Sequence, residues 1–276
     1  MDEDKLKTFL QKGSEISAGA VGGAIGLIGG PIGAIAGGTL GVLTGQILNE
    51  IIERKFSDRQ KLRLAATTAF VFDGIASRIN KGQTVRDDGF FDQAVFERSK
   101  AEELFEGTLI KCSTQYQEKK IKFISKIFEK AVFDKTISAE SVNQLLEVSN
   151  SFSYRKLCLI SLIGRRSIDY RDLVLMRDVY SWYPTINFSV NLKLLLQDLY
   201  ELVNFGILKN QVLMVTNNEV IPDKLTLTEI GDSIFSVLDL VEIEKKDIDP
   251  IIEELKYREE WGVSTGNTIN GEHLKK

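Results

Sequence analysis

The sequence predicts a mainly α protein in three parts. These are an N-terminal Gly-rich apolar helical hairpin, a helical body, and a small C-terminal α+β subdomain. Three observations predict this. Residues 16–48 carry no charge and hold 11 of the 22 glycines. Beyond residue 50, apolar residues recur at helical spacing. After residue 187, a helical pattern ending in glycine gives way to two short strand-like runs and a closing helix. The expected boundaries are a membrane-active hairpin over 1–49, a helical domain over 50–184, an α+β subdomain over 185–245, and an acidic helix with a mobile tail over 246–276.

Composition narrows the function classes. The 276 residues allow one large domain or two small ones. With 43% hydrophobic and 27% charged residues, the body can bury a core. A net charge of −4 argues against a protein that coats nucleic acid. Two cysteines, Cys112 and Cys158, make neither a disulfide framework nor a structural zinc site. The single histidine, His273, falls in a polar tail, which leaves no Ser-His-Asp or Cys-His arrangement. The sequence has no P-loop, no GxGxxG after a strand and no GxSxG. The expectation is a non-enzymatic protein with no cofactor and no metal.

The uncharged segment reads ISAGAVGGAIGLIGGPIGAIAGGTLGVLTGQIL, with 17 Ala, Val, Ile or Leu among its 33 residues. The mixed, acidic leader before it lacks the basic start of a signal peptide. As one helix the segment would be about 50 Å long, against a hydrocarbon core of about 30 Å. Pro31, after Gly29 and Gly30, removes a backbone donor and disfavours helix at its predecessor. Two arms meeting at Gly29-Gly30-Pro31 are therefore expected. Gly29, Gly33, Gly37, Gly41 and Gly45 recur every four residues; Gly22, Gly26 and Gly30 form a second series, and Gly19 and Gly23 a third. In water this much glycine melts a helix, at about 1 kcal/mol per residue relative to Ala. In a membrane the helix is enforced, and a small-xxx-small face lets backbones approach closely. Two readings stand: insertion into a membrane, or burial of the hairpin as a core element. Both hold if the hairpin is stored and then released. Residues 50–63 carry five Lys or Arg, which favours a cytoplasmic body; an ordinary helix start capped by Ser57 explains them as well.

The body reads as successive helices. Over 57–80, Leu62, Ala65, Ala66, Ala69, Val71 and Phe72 share one broad face. Lys81-Gly82 marks a stop and 86–89 a turn. A second helix is expected from about Asp92 to about Gln117, a third over 121–133, a fourth from Ser138 to about Val148, and a fifth opening at Ser153. A sixth is expected from Asp169 to about Tyr180. Asp87, Asp88 and Asp92 do not match an EF-hand; turn formation, with Arg86 as an ion partner, explains them.

Residues 187–206 read as a helix ending at Gly206, followed by a strand and turn with Asn217-Asn218 at the tip, a second strand, and a helix through "LTLTEIGDSIF". This stretch resembles a winged-helix domain. A winged helix that reads DNA presents Lys and Arg to phosphates. Residues 185–240 hold three Lys, no Arg and seven Asp or Glu. A protein contact or oligomerisation is expected rather than nucleic-acid binding. The stretch 241–255 can form one acidic helix, continuous or broken at Pro250.

The motifs "DDGFF", "AEELFEG", "EKKIKFISKIF" and "SYRKLCLISL" together resemble uncharacterised bacterial helical proteins distantly like the abortive-infection alpha family. The N-terminal segment is similar to glycine-zipper membrane proteins and pore-forming effectors. These resemblances imply an anti-phage effector of the bacterial inner membrane. Its partners would be membrane lipid, further copies of itself, and a protein trigger acting through the winged-helix-like region. The alternative is a regulatory scaffold with a buried Gly-rich hairpin and a protein-binding winged helix.

Overall fold

The computed structural model describes residues 54–93, 98–177, 188–211 and 220–258. The predicted hairpin, with Gly19, Gly22, Gly23, Gly26, Gly29, Gly30, Pro31, Gly33, Gly37, Gly41 and Gly45, lies outside the described residues. So do the Asn217-Asn218 tip and His273. The described residues are mainly helical, and none of their helices is long and apolar enough to cross a membrane. The chain divides into two compact units, residues 1–155 with 236–240, and residues 156–235 with 241–276.

In the first unit, α1 spans Asp58–Asn80. Ser57 caps it in a reciprocal capping box with Gln60, as expected for this position. Residues 64–69 are all buried, so the helix is covered on every side there. The hydroxyls of Thr67 and Thr68 donate to Arg63 O and Leu64 O at 2.8 and 2.9 Å, which removes their polarity from the core. Gly82, at φ +85, lets the chain turn away after the helix. Helix α2 spans Lys100–Ser113 and starts later than the sequence suggested. Ser99 and Glu102 form its capping box, a stronger start signal than Asp92. Helix α3 spans Lys119–Ala131, and α4 spans Ala139–Ser151 behind the Ser138 cap. α1 packs on α2 and α3, and α4 packs on the same two helices. Phe105 sits at the centre, 6.3 Å from the Phe72 ring and 5.1 Å from the Phe128 ring. Truncating such a buried phenylalanine costs about 3–5 kcal/mol.

Helix α5, Tyr154–Asp169, starts at the end of the first unit and runs on in the second. Its residues 157–163 are all buried. The expected helix from Asp169 is not formed over the described residues 170–177. Arg165 holds the Asp169 carboxylate at 2.6–2.7 Å, which keeps Asp169 as the last residue of α5. The chain then turns, and Leu175 makes an antiparallel bridge with Lys256. Helix α6, Val190–Asn204, is capped by Ser189 and buries Leu192, Leu195, Leu199 and Leu202 at helical spacing. Gly206, at φ +70, ends it.

Strands β1 (Leu208–Asn210) and β2 (Leu225–Leu227) pair antiparallel, with Leu208 opposite Leu227 and Asn210 opposite Leu225. Helix α7, Glu229–Val237, follows. Gly231 permits its close approach: a Cβ there would lie 2.1 Å from Ile207 O. Helix α8, Lys245–Leu255, runs through Pro250 unbroken. The missing proline N–H removes one backbone bond. Burial of Ile248, Ile251 and Leu255 along one face offsets it.

Candidate functional site

The basic flank of the apolar segment folds onto the first unit. Arg54 forms an ion pair with Glu106, and Arg59 and Arg63 pair with Glu118. Lys61 lies 3.9 Å from the Asp58 carboxylate, so four of the five cations counted in residues 50–63 are matched by carboxylates. The flank offers less free positive charge than its sequence suggests, which weakens it as an orientation signal.

The acidic loop is organised by Arg86. This side chain is 7% exposed, and its guanidinium lies 4.4 Å from the centre of the Phe90 ring. Nε and Nη2 donate to the Asp88 carboxylate at 2.8 and 2.6 Å. Nη1 donates to the carbonyls of Ala131, Asp134 and Ile137 at 2.9–3.1 Å. The Arg86 hydrogen bond holds the Asp88 carboxyl down at about 2. Asp87 pairs with Lys135, whose hydrogen bond lowers its pKa. Both aspartates therefore serve turn and ion-pair roles. Among the described residues no group of His, Cys, Asp and Glu is arranged to hold a metal ion.

A second charged cluster lies on α3. Glu129 is 2% exposed and accepts from Arg78 Nε at 2.7 Å, while its other oxygen faces the Lys126 ammonium at 3.1 Å. The carboxylate lies against the Cα of Gly74; a Cβ there would meet Glu129 Oε2 at 2.0 Å. Lys130 donates to Asp239 at 2.7 Å and to the Ser236 carbonyl, and Lys126 lies 3.7 Å from the same aspartate. Asp239 has φ +49, a conformation that an aspartate tolerates better than most residues. Segment 236–240 is thereby held in the first unit.

Cys112, Lys120 and Cys158 are buried. Burial raises the Cys112 thiol to about 12 and lowers the Lys120 amine to about 8. Lys120 donates to Asn150 O at 2.9 Å, and Gln115 donates to the Asn150 side chain. Cys158 is 2% exposed. A thiol kept protonated and away from solvent is a poor nucleophile.

In the second unit, the exposed face of α6 carries Val190, Asn191, Lys193, Leu194 and Gln197. Val190 is 71% exposed and Leu194 47%. Lys156 pairs with Glu201 farther along the helix, and this hydrogen bond lowers the Glu201 pKa.

The foot of the β1–β2 hairpin is different. The Asp223 side chain, 7% exposed, receives Arg166 through a short ion pair, and Arg166 Nη1 donates to the Asp223 backbone carbonyl at 2.6 Å. Leu175 N donates to the Asp223 carboxylate at 3.2 Å. Arg177 Nε and Lys224 Nζ lie 3.4 and 3.7 Å from Oδ2. A charge count that begins at residue 185 misses both arginines, because the fold brings them in from 166 and 177. No protein-family model, curated protein or solved structure matches the chain.

Proposed function

We propose that the chain is a non-catalytic, membrane-active effector of bacterial phage defence. Residues 16–48 insert into the inner membrane as a glycine-zipper hairpin and oligomerise to disrupt it. The single observation that carries this reading is the uncharged run with its four-residue glycine period. A plain anchor is better made of Leu and Ile, whereas dense glycine favours helix association. The helical body remains cytoplasmic. The order of α6, Gly206, the β1–β2 pair and α7 supports a winged-helix-like region. Its apolar, cation-poor α6 face suits a protein trigger better than nucleic acid.

Val190 and Leu194 also favour a second reading, a scaffold that binds protein through α6 and keeps the hairpin buried. Membrane potential separates the two. A voltage-sensitive dye is read in cells expressing wild type, Ile35→Asp, or a deletion of residues 1–49. Wild type depolarises, while Ile35→Asp, at about 2.5–3.5 kcal/mol for a charge in the membrane, and the deletion do not. Depolarisation by the deletion as strong as by wild type refutes the effector reading. Silence of all three with the trigger present favours the scaffold.

A further inference from the structure

Arg166, Arg177 and Lys224 converge on one carboxylate, Asp223, and leave two positive charges in excess. Arg166 is committed to Asp223 and to backbone carbonyls, and is 23% exposed. Arg177 and Lys224 stand apart from it, at 58% and 48% exposure. Among the described residues, neither the terminal nitrogens of Arg177 nor the Lys224 ammonium has another hydrogen-bonding partner. Both approach the same Asp223 oxygen, so Arg177 Nε and Lys224 Nζ lie within about 7 Å of each other. One group accepting a charge-assisted hydrogen bond of about 2.8 Å from each side spans such a gap.

The anion class follows from charge and shape. A carboxylate carries one charge and balances only one of the two in excess. A phosphate monoester carries about −1.5 to −2 and three acceptor oxygens, which match a guanidinium and an ammonium together. A nucleic-acid backbone needs a row of cations, and the α6 face supplies only Lys193. We propose that Arg177 and Lys224, set on Asp223 at the foot of the β1–β2 hairpin, form a two-pronged site for a single phosphate group. A lipid headgroup as its source rests on the membrane reading above; the site itself rests on the charges alone.

The test uses the full chain as wild type, as Arg177→Gln/Lys224→Gln, and as the charge-conserving Arg177→Lys/Lys224→Arg. All three keep Asp223 and Arg166, and matched thermal unfolding checks that the fold is retained. Calorimetric titration with inorganic phosphate gives binding to wild type and to the charge-conserving variant, and none to the glutamine variant. Vesicles of phosphatidylcholine with 30% phosphatidic acid, against phosphatidylcholine alone, distinguish the source. A headgroup source predicts about 30-fold weaker binding of the glutamine variant to the acidic vesicles, from about 1 kcal/mol per lost charge. Phosphate binding lost in the glutamine variant, with vesicle binding unchanged, assigns the site to free phosphate. If wild type ignores both kinds of vesicle, the membrane reading fails while the phosphate titration still judges the site. Equal titration of wild type and the glutamine variant in every arm overturns the proposal.

Discussion

Replacing Lys120 by methionine is expected to stabilise the protein at neutral pH. Lys120 is 2% exposed, with Asn150 O as the acceptor of its hydrogen bond, and burial lowers its amine from 10.5 to about 8. A base with a lowered folded pKa binds its proton more tightly in the unfolded chain. Stability therefore rises with pH between about 8 and 10.5, and the full penalty applies below 8. At about 1.4 kcal/mol per pH unit this penalty reaches about 3 kcal/mol, or about 2 kcal/mol after allowing for solvent screening at the ammonium. Methionine fills the volume of the stem without a charge. It leaves the Asn150 carbonyl without this donor, at about 1 kcal/mol. The net gain is about 1 kcal/mol at pH 7. Urea unfolding of both proteins at pH 7, 8 and 9 reads this gain, which should shrink by about 1 kcal/mol by pH 9. Cys112, raised to about 12, lowers stability only above its ordinary value of 9.0 and does so in both proteins. A difference that stays constant from pH 7 to pH 9, or a variant less stable than wild type at pH 7, refutes the reasoning.

Arg86→Ala strips the Asp88 carboxylate and three carbonyls of their donor and should cost about 3–5 kcal/mol in thermal unfolding, with Asp88→Ala milder. The Asp88 contribution should be complete above pH 3.8 and disappear as pH falls through about 2, which acid titration of the unfolding midpoint will show. Gly231→Ala should cost about 1–3 kcal/mol because its Cβ strikes Ile207 O, while Gly107→Ala, in open space on α2, should gain about 1 kcal/mol; equal midpoints would contradict both. Gly37→Leu should abolish oligomers on crosslinking in membranes, and an equally bulky change at Ile35 should be milder; equal tolerance at both positions refutes the packing.

Local signals in the chain carried the helices. Ser57 and Ser138 cap α1 and α4, as serine before an apolar helical run predicts. Ser99 with Glu102 was an equally clear start for α2, but Asp92 offered an earlier one. Pro250 left a continuous and a broken helix both open, because its cost is one backbone bond and the apolar face that outweighs it is a tertiary effect. Lys120 looks like one more surface lysine in "EKKIKF", yet it shares a helical stripe with Ile124, Ile127 and Ala131, which was the available clue to its burial. The pairing of Arg86 with an aspartate was legible two residues away; its three carbonyl partners lie 45–51 residues distant. Asp223 gathers cations from 166, 177 and 224, a convergence that no local spacing encodes.

The strap formed by residues 236–240 has a consequence during synthesis. The first unit contains every residue up to 155, but Lys126 and Lys130 on α3 meet Asp239 only after roughly 85 more residues are made. At about 5–20 residues per second the ribosome needs several seconds to supply it. During that interval the α3 lysines lack this carboxylate, and the unit exists without its last segment. A ribosome stalled shortly after residue 155 therefore displays an incomplete unit, and no fragment ending there can reproduce the finished one.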